Sequence, residues 1–333
     1  MDETGAASSN INGPPIISMD TFPATRKKTI ILEAKQEDFV RSFIASQDIK
    51  ETSKETYRRA LRQFLSWLEA KEISGPTRET ILEYKKDLKA RGLSSLSISA
   101  YIVVVRRFFE WAEGMKYYPN VARGIKAGKK SRGFKKDSLT VDQVRDLLSS
   151  IGRSTLQGKR DFALLNLLIR TGLRTIEVIR ADVGDIRQQG GSALLWIQGK
   201  GRDDKDQFVL LTRESLRPLY EYLKARGSKE KKNPLFTSLS DRNNGSRLTT
   251  RSIRGIVKER LKAIGIESER LSAHSLRHTA ITLSLKGGAT IQEAQALGRH
   301  TNINTTLIYA HNIDRIKNAP EKRIDKLLSK VDV

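Results

Sequence analysis

The sequence predicts a mainly α-helical protein with a small antiparallel β-sheet, arranged as two domains. Its 333 residues exceed the roughly 150 of a typical domain about twofold. Apolar residues recur at helical spacing along most of the chain, whereas two short apolar runs of β character flank one glycine-containing turn. We therefore expect a helical first domain, followed by a second domain that combines helices with the sheet.

The first third of the chain predicts a tail and a four-helix domain. Residues 1–35 are rich in Ser, Asn, Gly, Pro and Thr and lack periodicity, which indicates a flexible N-terminal tail. Four helical patterns fill residues 36–122. Thr52 and Glu55 have the spacing of a capping box, so we expect the second helix to begin there. The third helix begins near Thr77.

A basic linker is predicted over residues 123–136. It contains seven Lys and Arg residues, no acid and three glycines, which is typical of an extended segment. Two interpretations remain open, a solvated hinge and a segment that lies along DNA phosphates. Under the second, the candidate DNA contacts in the linker are Lys129, Lys130 and Arg132.

The second domain is predicted over residues 137–333. An almost entirely apolar helix at 162–169 is expected to be buried and to end at Gly172 in a left-handed C-cap. A hairpin is predicted around residues 199–202, from strands at 193–198 and 207–211. A C-terminal helix is expected from about residue 321.

The charge and composition restrict the classes of function. Lys and Arg number 61 and Asp and Glu 38, a net charge of +23. Both parts of the chain contribute, with 26 basic and 16 acidic residues in 1–136 and 35 basic and 22 acidic residues in 137–333, so the expected partner is a polyanion. The absence of cysteine excludes disulfides and thiol nucleophiles. No apolar run has the length of a membrane span, and we expect a cytoplasmic protein.

All four histidines lie in the last 60 residues: His274, His278, His300 and His311. His274 and His278 share one helical face with Arg277, at spacings of three and four residues. Two imidazoles beside a guanidinium suit the binding of an anion together with proton transfer. A buried polar network is the alternative.

These motifs resemble those of the tyrosine recombinase (phage integrase) family. Residues 274–279 and 304–311 resemble the family's C-terminal signature, residues 171–177 the segment with its first arginine, and residues 199–201 the hairpin with its lysine. The resemblance covers about residues 36–325 and is greatest to simple two-domain, Xer-like enzymes of mobile genetic elements. Six residues match the family's catalytic types in order: Arg174, Lys200, His274, Arg277, His300 and Tyr309.

The resemblance implies a reaction as well as a fold. A SAM-like core-binding domain and an α+β catalytic domain would form a C-shaped DNA clamp. Tyr309 would attack a phosphodiester and form a 3′-phosphotyrosyl link, with no metal or cofactor. Arg174 and Arg277 would stabilise the charge on the non-bridging oxygens. His274 is the candidate general base and Lys200 the candidate general acid.

The resemblance also implies partners. These are double-stranded DNA with paired recombinase half-sites, other copies of the chain in a tetramer that exchanges C-terminal helices, and accessory directionality factors. Recombination would proceed through a Holliday junction, and DNA-bound protein would associate with the nucleoid. On the second helix, the candidate DNA contacts are Lys54, Arg58 and Arg59.

Some residues and alternatives stand apart from this scheme. Arg299 occupies a position where many family members have glycine, and we expect it to contact phosphate. Glu177 is expected to orient Arg174, and His278 to support the catalytic groups or to be structural. The rival functions are a type IB topoisomerase-like DNA-relaxing enzyme and a non-catalytic DNA-binding regulator with the same fold.

Overall fold

The computed structural model describes residues 36–128, 137–199, 201–227, 230–317 and 320–328, without the side chains of Gln36 and of 311–320. The chain divides into two compact units between Arg132 and Gly133. The predicted tail lies outside the described residues, and so do the candidate DNA contacts Lys129, Lys130 and Arg132.

The described part of the first unit consists of helices α1 (Gln36–Ala45), α2 (Glu51–Ala70), α3 (Arg78–Ala90) and α4 (Ser95–Gly114). Their apolar faces share a core rich in aromatic rings. The ring of Phe64 is fully buried and lies 4.9 Å from that of Tyr84 and 6.1 Å from that of Phe109, both edge-on. This is the arrangement that aromatic quadrupoles favour. The predicted four-helix domain is confirmed.

One predicted helix start is wrong. Helix α2 begins at Glu51, with Lys50 in the N-cap position, so Thr52 lies inside the helix. The Thr52 carbonyl accepts a hydrogen bond from the Thr56 hydroxyl at 3.2 Å. Glu55 pairs with Arg58, one turn further along, rather than closing a capping box.

The second unit combines helices with one small sheet. Its described elements, in chain order, are α5 (Val141–Ser149), α6 (Leu156–Thr171), α7 (Thr175–Arg180), β1 (Ile186–Gln189), β2 (Ser192–Ile197), β3 (Gln207–Leu211), α8 (Arg213–Arg226), α9 (Thr250–Ala263), α10 (Ala273–Lys286), α11 (Ile291–Gly298), α12 (Asn304–Lys317) and α13 (Pro320–Leu328). The mainly helical class with a small antiparallel sheet is confirmed.

The sheet has one strand more than the two that the sequence predicts. The order is β1-β2-β3, antiparallel throughout, and Leu195 of β2 pairs with Ile186 of β1 and Val209 of β3. Strand β1 reads Ile-Arg-Gln-Gln and is exposed after its first residue. It therefore lacks the apolar alternation that identifies a strand in a sequence.

Helix α6 leads into the segment that carries Arg174. It packs against α8 and α10, and its leucines at 164, 165, 167 and 168 are completely buried. It ends at Gly172, whose φ of 60° and ψ of 24° are left-handed, a conformation in which glycine avoids the strain of a Cβ atom. The chain then turns into α7, and Arg174 occupies the position just before that helix.

None of the described helices combines the length and the apolar composition that a bilayer crossing requires.

Candidate active site

Arg174 is held by the helix that follows it. Its backbone N–H donates to Oε2 of Glu177 at 2.7 Å, and its Nη1 donates to Oε1 of the same carboxylate at 2.8 Å. Glu177 is completely buried, whereas 27% of the Arg174 side chain remains exposed. Glu177 therefore contacts Arg174 as an orienting residue should, and the guanidinium keeps access to a ligand.

Arg277, on α10, is held by backbone carbonyls rather than by a carboxylate. Its Nη1 donates to the Gly172 carbonyl at 2.5 Å and its Nη2 to the Gly298 carbonyl. Burial is the main reason that the pKa of Arg277 falls to about 9, and the positive charges of Arg174 and Arg299 lower it further. The guanidinium therefore remains cationic at neutral pH, although only 2% of the residue is exposed.

Tyr309, on α12, is almost fully buried and forms a hydrogen bond with Nδ1 of His278. Burial raises the pKa of Tyr309 to about 12, and the nearby Arg277 and Arg174 oppose this rise. Burial is the main reason that the pKa of His278 falls to about 4, and electrostatic repulsion from His274 is the second. Both groups are neutral at pH 7, so the phenol donates and the imidazole accepts.

The structure distinguishes the two imidazoles of α10. The sequence predicts His274 as the general base, and His278 as a residue that supports the catalytic groups or is structural. In the structure His278 contacts the Tyr309 hydroxyl, while the exposed His274 packs edge-on against the His278 ring, with centroids 4.7 Å apart. Spacing places both rings on one helical face and cannot tell which of them contacts Tyr309.

His300 completes the group beside Tyr309. The two rings are nearly parallel, with centroids 6.1 Å apart, and His300 Nδ1 lies 2.9 Å from the buried Thr306 hydroxyl. Burial is the main reason that the pKa of His300 falls to about 4, and the positive charges of Arg277 and Arg174 lower it further. Gly298 leaves space for the ring, because a Cβ atom there would lie 2.8 Å from His300 Cε1.

The guanidinium of Arg299 is buried and has protein partners. Only 6% of its side chain is exposed, and its Nη2 lies 2.9 Å from Glu177 Oε2. Its backbone is left-handed, with a φ of 48°, at the C-cap of α11. The left-handed angle accounts for the glycine that is usual at this position. The guanidinium lies in a buried ion pair, and its contact with phosphate stays a prediction.

Lys200 lies outside the described residues, between Gly199 and Gly201 of the β2–β3 hairpin. Both sides of this hairpin loop are anchored. The Gly199 carbonyl accepts a hydrogen bond from Arg180 Nη1 at 3.4 Å. On the other side, Lys205 Nζ lies 2.7 Å from Asp182 Oδ2 and 2.5 Å from Asp185 Oδ2.

The predicted DNA contacts on α2 differ in their surroundings. Nζ of Lys54 lies 3.6 Å from Oε2 of Glu51, and Arg58 forms an ion pair with Glu55. Arg59 is exposed. Their contact with DNA stays a prediction.

The described ranges contain no cluster of three or more His, Cys, Asp or Glu side chains that could hold a metal ion. The group around Tyr309 instead consists of two arginines and two histidines: Arg174, Arg277, His278 and His300. It can bind an anion and position a hydroxyl next to it.

A His278→Gln variant is expected to lose less stability in acid than the wild-type protein. Folding lowers the pKa of His278 from 6.5 to about 4, so between these values the unfolded chain binds a proton that the folded chain excludes. The contribution of neutral His278 is complete above pH 6.5 and decreases as the pH falls toward 4. From pH 7 to 4.5, we expect the wild-type free energy of unfolding in urea to fall by about 2 kcal/mol more than that of the variant. Parallel pH curves would contradict this assignment.

Comparison with known proteins shows the family of the chain. Residues 137–315 match the phage integrase family, and residues 37–115 match the N-terminal SAM-like domain of phage integrases. Tyrosine recombinase XerD of Listeria monocytogenes serotype 4b is 31% identical over 287 residues, which cover 83% of this chain and 93% of that protein.

Two solved structures have a similar fold. The XerH site-specific recombinase bound to a palindromic difH substrate has a TM-score of 0.68 at 22% identity, over 86% of this chain and 85% of that one. The Tn1549 transposon integrase in complex with circular intermediate DNA has a TM-score of 0.67 at 18% identity, over 85% and 95%. The family match and the identity to XerD show that the chain belongs to the phage integrase family and is a relative of the Xer tyrosine recombinases.

Proposed function

We propose that this protein is a site-specific DNA recombinase that cuts and rejoins DNA strands through Tyr309. The observation that carries the proposal is the convergence of three residues next to Arg174: Arg277 on α10, His300 in the segment between α11 and α12, and Tyr309 on α12. Family membership supports it, since the relatives are named tyrosine recombinases. The high positive charge of both parts of the chain suits a DNA substrate.

The arginines fit the charge that develops in phosphoryl transfer. When the Tyr309 oxygen attacks phosphorus, negative charge gathers on the non-bridging oxygens. Guanidiniums remain protonated and match such oxygens in a bidentate manner. We assign this role to Arg174 and Arg277, with His300 as a further donor.

Proton transfers complete the step. The phenolic proton passes to a base, the new bond joins Tyr309 to the 3′ phosphate, and the bond to the 5′ oxygen breaks. His274 is proposed as this base. His278 holds the hydroxyl in the DNA-free protein. Lys200 is proposed to donate the proton that the 5′ oxygen needs, and the phosphotyrosyl bond keeps the energy for rejoining.

Assembly on DNA is proposed to involve four copies and a Holliday junction. Helix α13 exposes 53%, 72% and 61% of Ile324, Leu327 and Leu328, an apolar stripe that a neighbouring protomer can bury. Paired half-sites would bring such protomers together, and accessory factors would set the direction. We place the protein in the cytoplasm, on the nucleoid, as the recombinase of a mobile genetic element that it integrates, excises or resolves.

A nicked suicide substrate tests the proposal. Cleavage next to the nick releases a short 5′-OH fragment, so the covalent complex accumulates and resists SDS. We expect such an adduct, and recombinant joints when two sites are supplied. The absence of an adduct would refute catalysis and favour the non-catalytic regulator. Relaxation of supercoiled DNA without recombinant joints would favour the topoisomerase-like alternative.

A further inference from the structure

We infer that Arg299 is a positioning residue that connects the anchor of Arg174 to the anchor of Arg277. Arg299 Nη2 donates to Glu177 Oε2 at 2.9 Å and to the Gly172 carbonyl at 3.1 Å, and its Nη1 donates to the Leu297 carbonyl at 2.9 Å. The inference rests on the proposed function, since the two arginines that it connects are the proposed phosphate-binding pair.

Each anchor is shared with one of the two arginines. The Glu177 carboxylate also accepts from Nη1 of Arg174 at 2.8 Å. The Gly172 carbonyl also accepts from Nη1 of Arg277 at 2.5 Å. The guanidinium of Arg299 thus bridges Glu177 and the Gly172 carbonyl, which are the groups that hold Arg174 and Arg277. Because the bridge lies in a buried region, movement of either anchor is opposed by the other.

Sharing the carboxylate also changes the charge of the site. With glycine at position 299, Glu177 would balance Arg174, and the cluster with Arg277 would carry a net charge of +1. Arg299 raises this to +2, so the carboxylate no longer neutralises Arg174 alone. Additional positive charge favours the transition state, in which negative charge gathers on the non-bridging oxygens.

The position carries a cost that these contacts offset. A φ of 48° strains any residue with a Cβ atom. Within the described part of the chain, Nε of Arg299 is buried without a hydrogen-bond partner. Glycine would relieve both costs, so the stability of the turn alone does not account for arginine.

The test compares Arg299→Gly with Lys116→Gly. Lys116 is also a left-handed cation, with a φ of 58°, but it is exposed and lies at the end of α4 in the first unit. Both variants lose one charge and gain the same backbone freedom. At saturating DNA we expect Arg299→Gly to form the suicide-substrate adduct roughly tenfold more slowly, with unchanged affinity for DNA. Lys116→Gly should react at the wild-type rate.

Two further variants separate positioning from folding. Arg299→Lys keeps the charge and should recover part of the rate. In a Glu177→Gln background, removal of Arg299 should slow the reaction less than in the wild-type protein, because the shared carboxylate is already lost. Wild-type rates for Arg299→Gly, or full additivity with Glu177→Gln, would overturn the inference.

Failure of the proposed function would be distinguishable from failure of this inference. If the wild-type protein forms no adduct, the proposed function fails. Non-additive unfolding free energies of Arg299→Gly and Glu177→Gln would then still report the coupling without DNA, and additive ones would overturn it.

Discussion

A Tyr309→Phe variant is expected to bind the same DNA sites as the wild-type protein and to form no covalent adduct and no recombinants. Phenylalanine removes the only atom that attacks phosphorus in the proposed reaction. The ring can keep its packing against Ile281 and Ala294. The lost hydrogen bond leaves Nδ1 of His278 without this partner, which should cost about 1 kcal/mol of stability. Activity should therefore vanish in a folded protein.

Tyr222→Phe is the matched control for this experiment. Tyr222 is also fully buried, and its hydroxyl also forms a side-chain hydrogen bond, at 3.1 Å to Thr237 Oγ1. It belongs to the core of the second unit, and its loss should leave adduct formation intact. Adduct formation is measured by SDS gel electrophoresis with labelled DNA. An adduct that persists in Tyr309→Phe would assign the nucleophile to another residue.

Local backbone signals in the sequence predict much of the fold. Thr77 and Thr140 accept hydrogen bonds from the backbone N–H groups of Thr80 and Gln143, as helix N-caps do. Gly172 has the left-handed conformation that the sequence predicts. These features depend on a few neighbouring residues and are therefore visible in the sequence. Strand β1 depends on its pairing with β2 and is not.

The site shows the same division between local and long-range determinants. The resemblance to the motifs of the family predicts Arg174, Arg277 and Tyr309 as catalytic residues. The choice of His278 as the partner of Tyr309 depends on how α12 packs on α10, which no local pattern encodes. The ion pair of Arg299 with Glu177 joins residues 122 positions apart in the chain. Charge at position 299 suggests phosphate as its partner, whereas burial selects the carboxylate.

Lys200→Ala is expected to slow cleavage of ordinary DNA by about 10²–10⁴-fold, the range for loss of a general acid. An alkoxide is a poor leaving group and needs a proton as the bond to phosphorus breaks. The anchors at Gly199 and Lys205 fix both sides of the loop that carries Lys200. The other cations of the loop are paired with carboxylates, Arg202 with Asp206 and Lys205 with Asp182 and Asp185. We therefore expect neither of them to replace the donor that an alanine at position 200 removes.

The decisive comparison uses DNA in which sulfur replaces the 5′ bridging oxygen at the cleavage site. A thiol has a pKa near 8.5 and leaves as the thiolate without protonation. Lys200→Ala should therefore cleave this substrate at nearly the wild-type rate. Arg277→Lys serves as the contrasting control, because it weakens bidentate binding of the non-bridging oxygens and should slow both substrates. If Lys200→Ala is equally slow with sulfur and oxygen, Lys200 acts on the phosphate together with the arginines, and the proton comes from elsewhere.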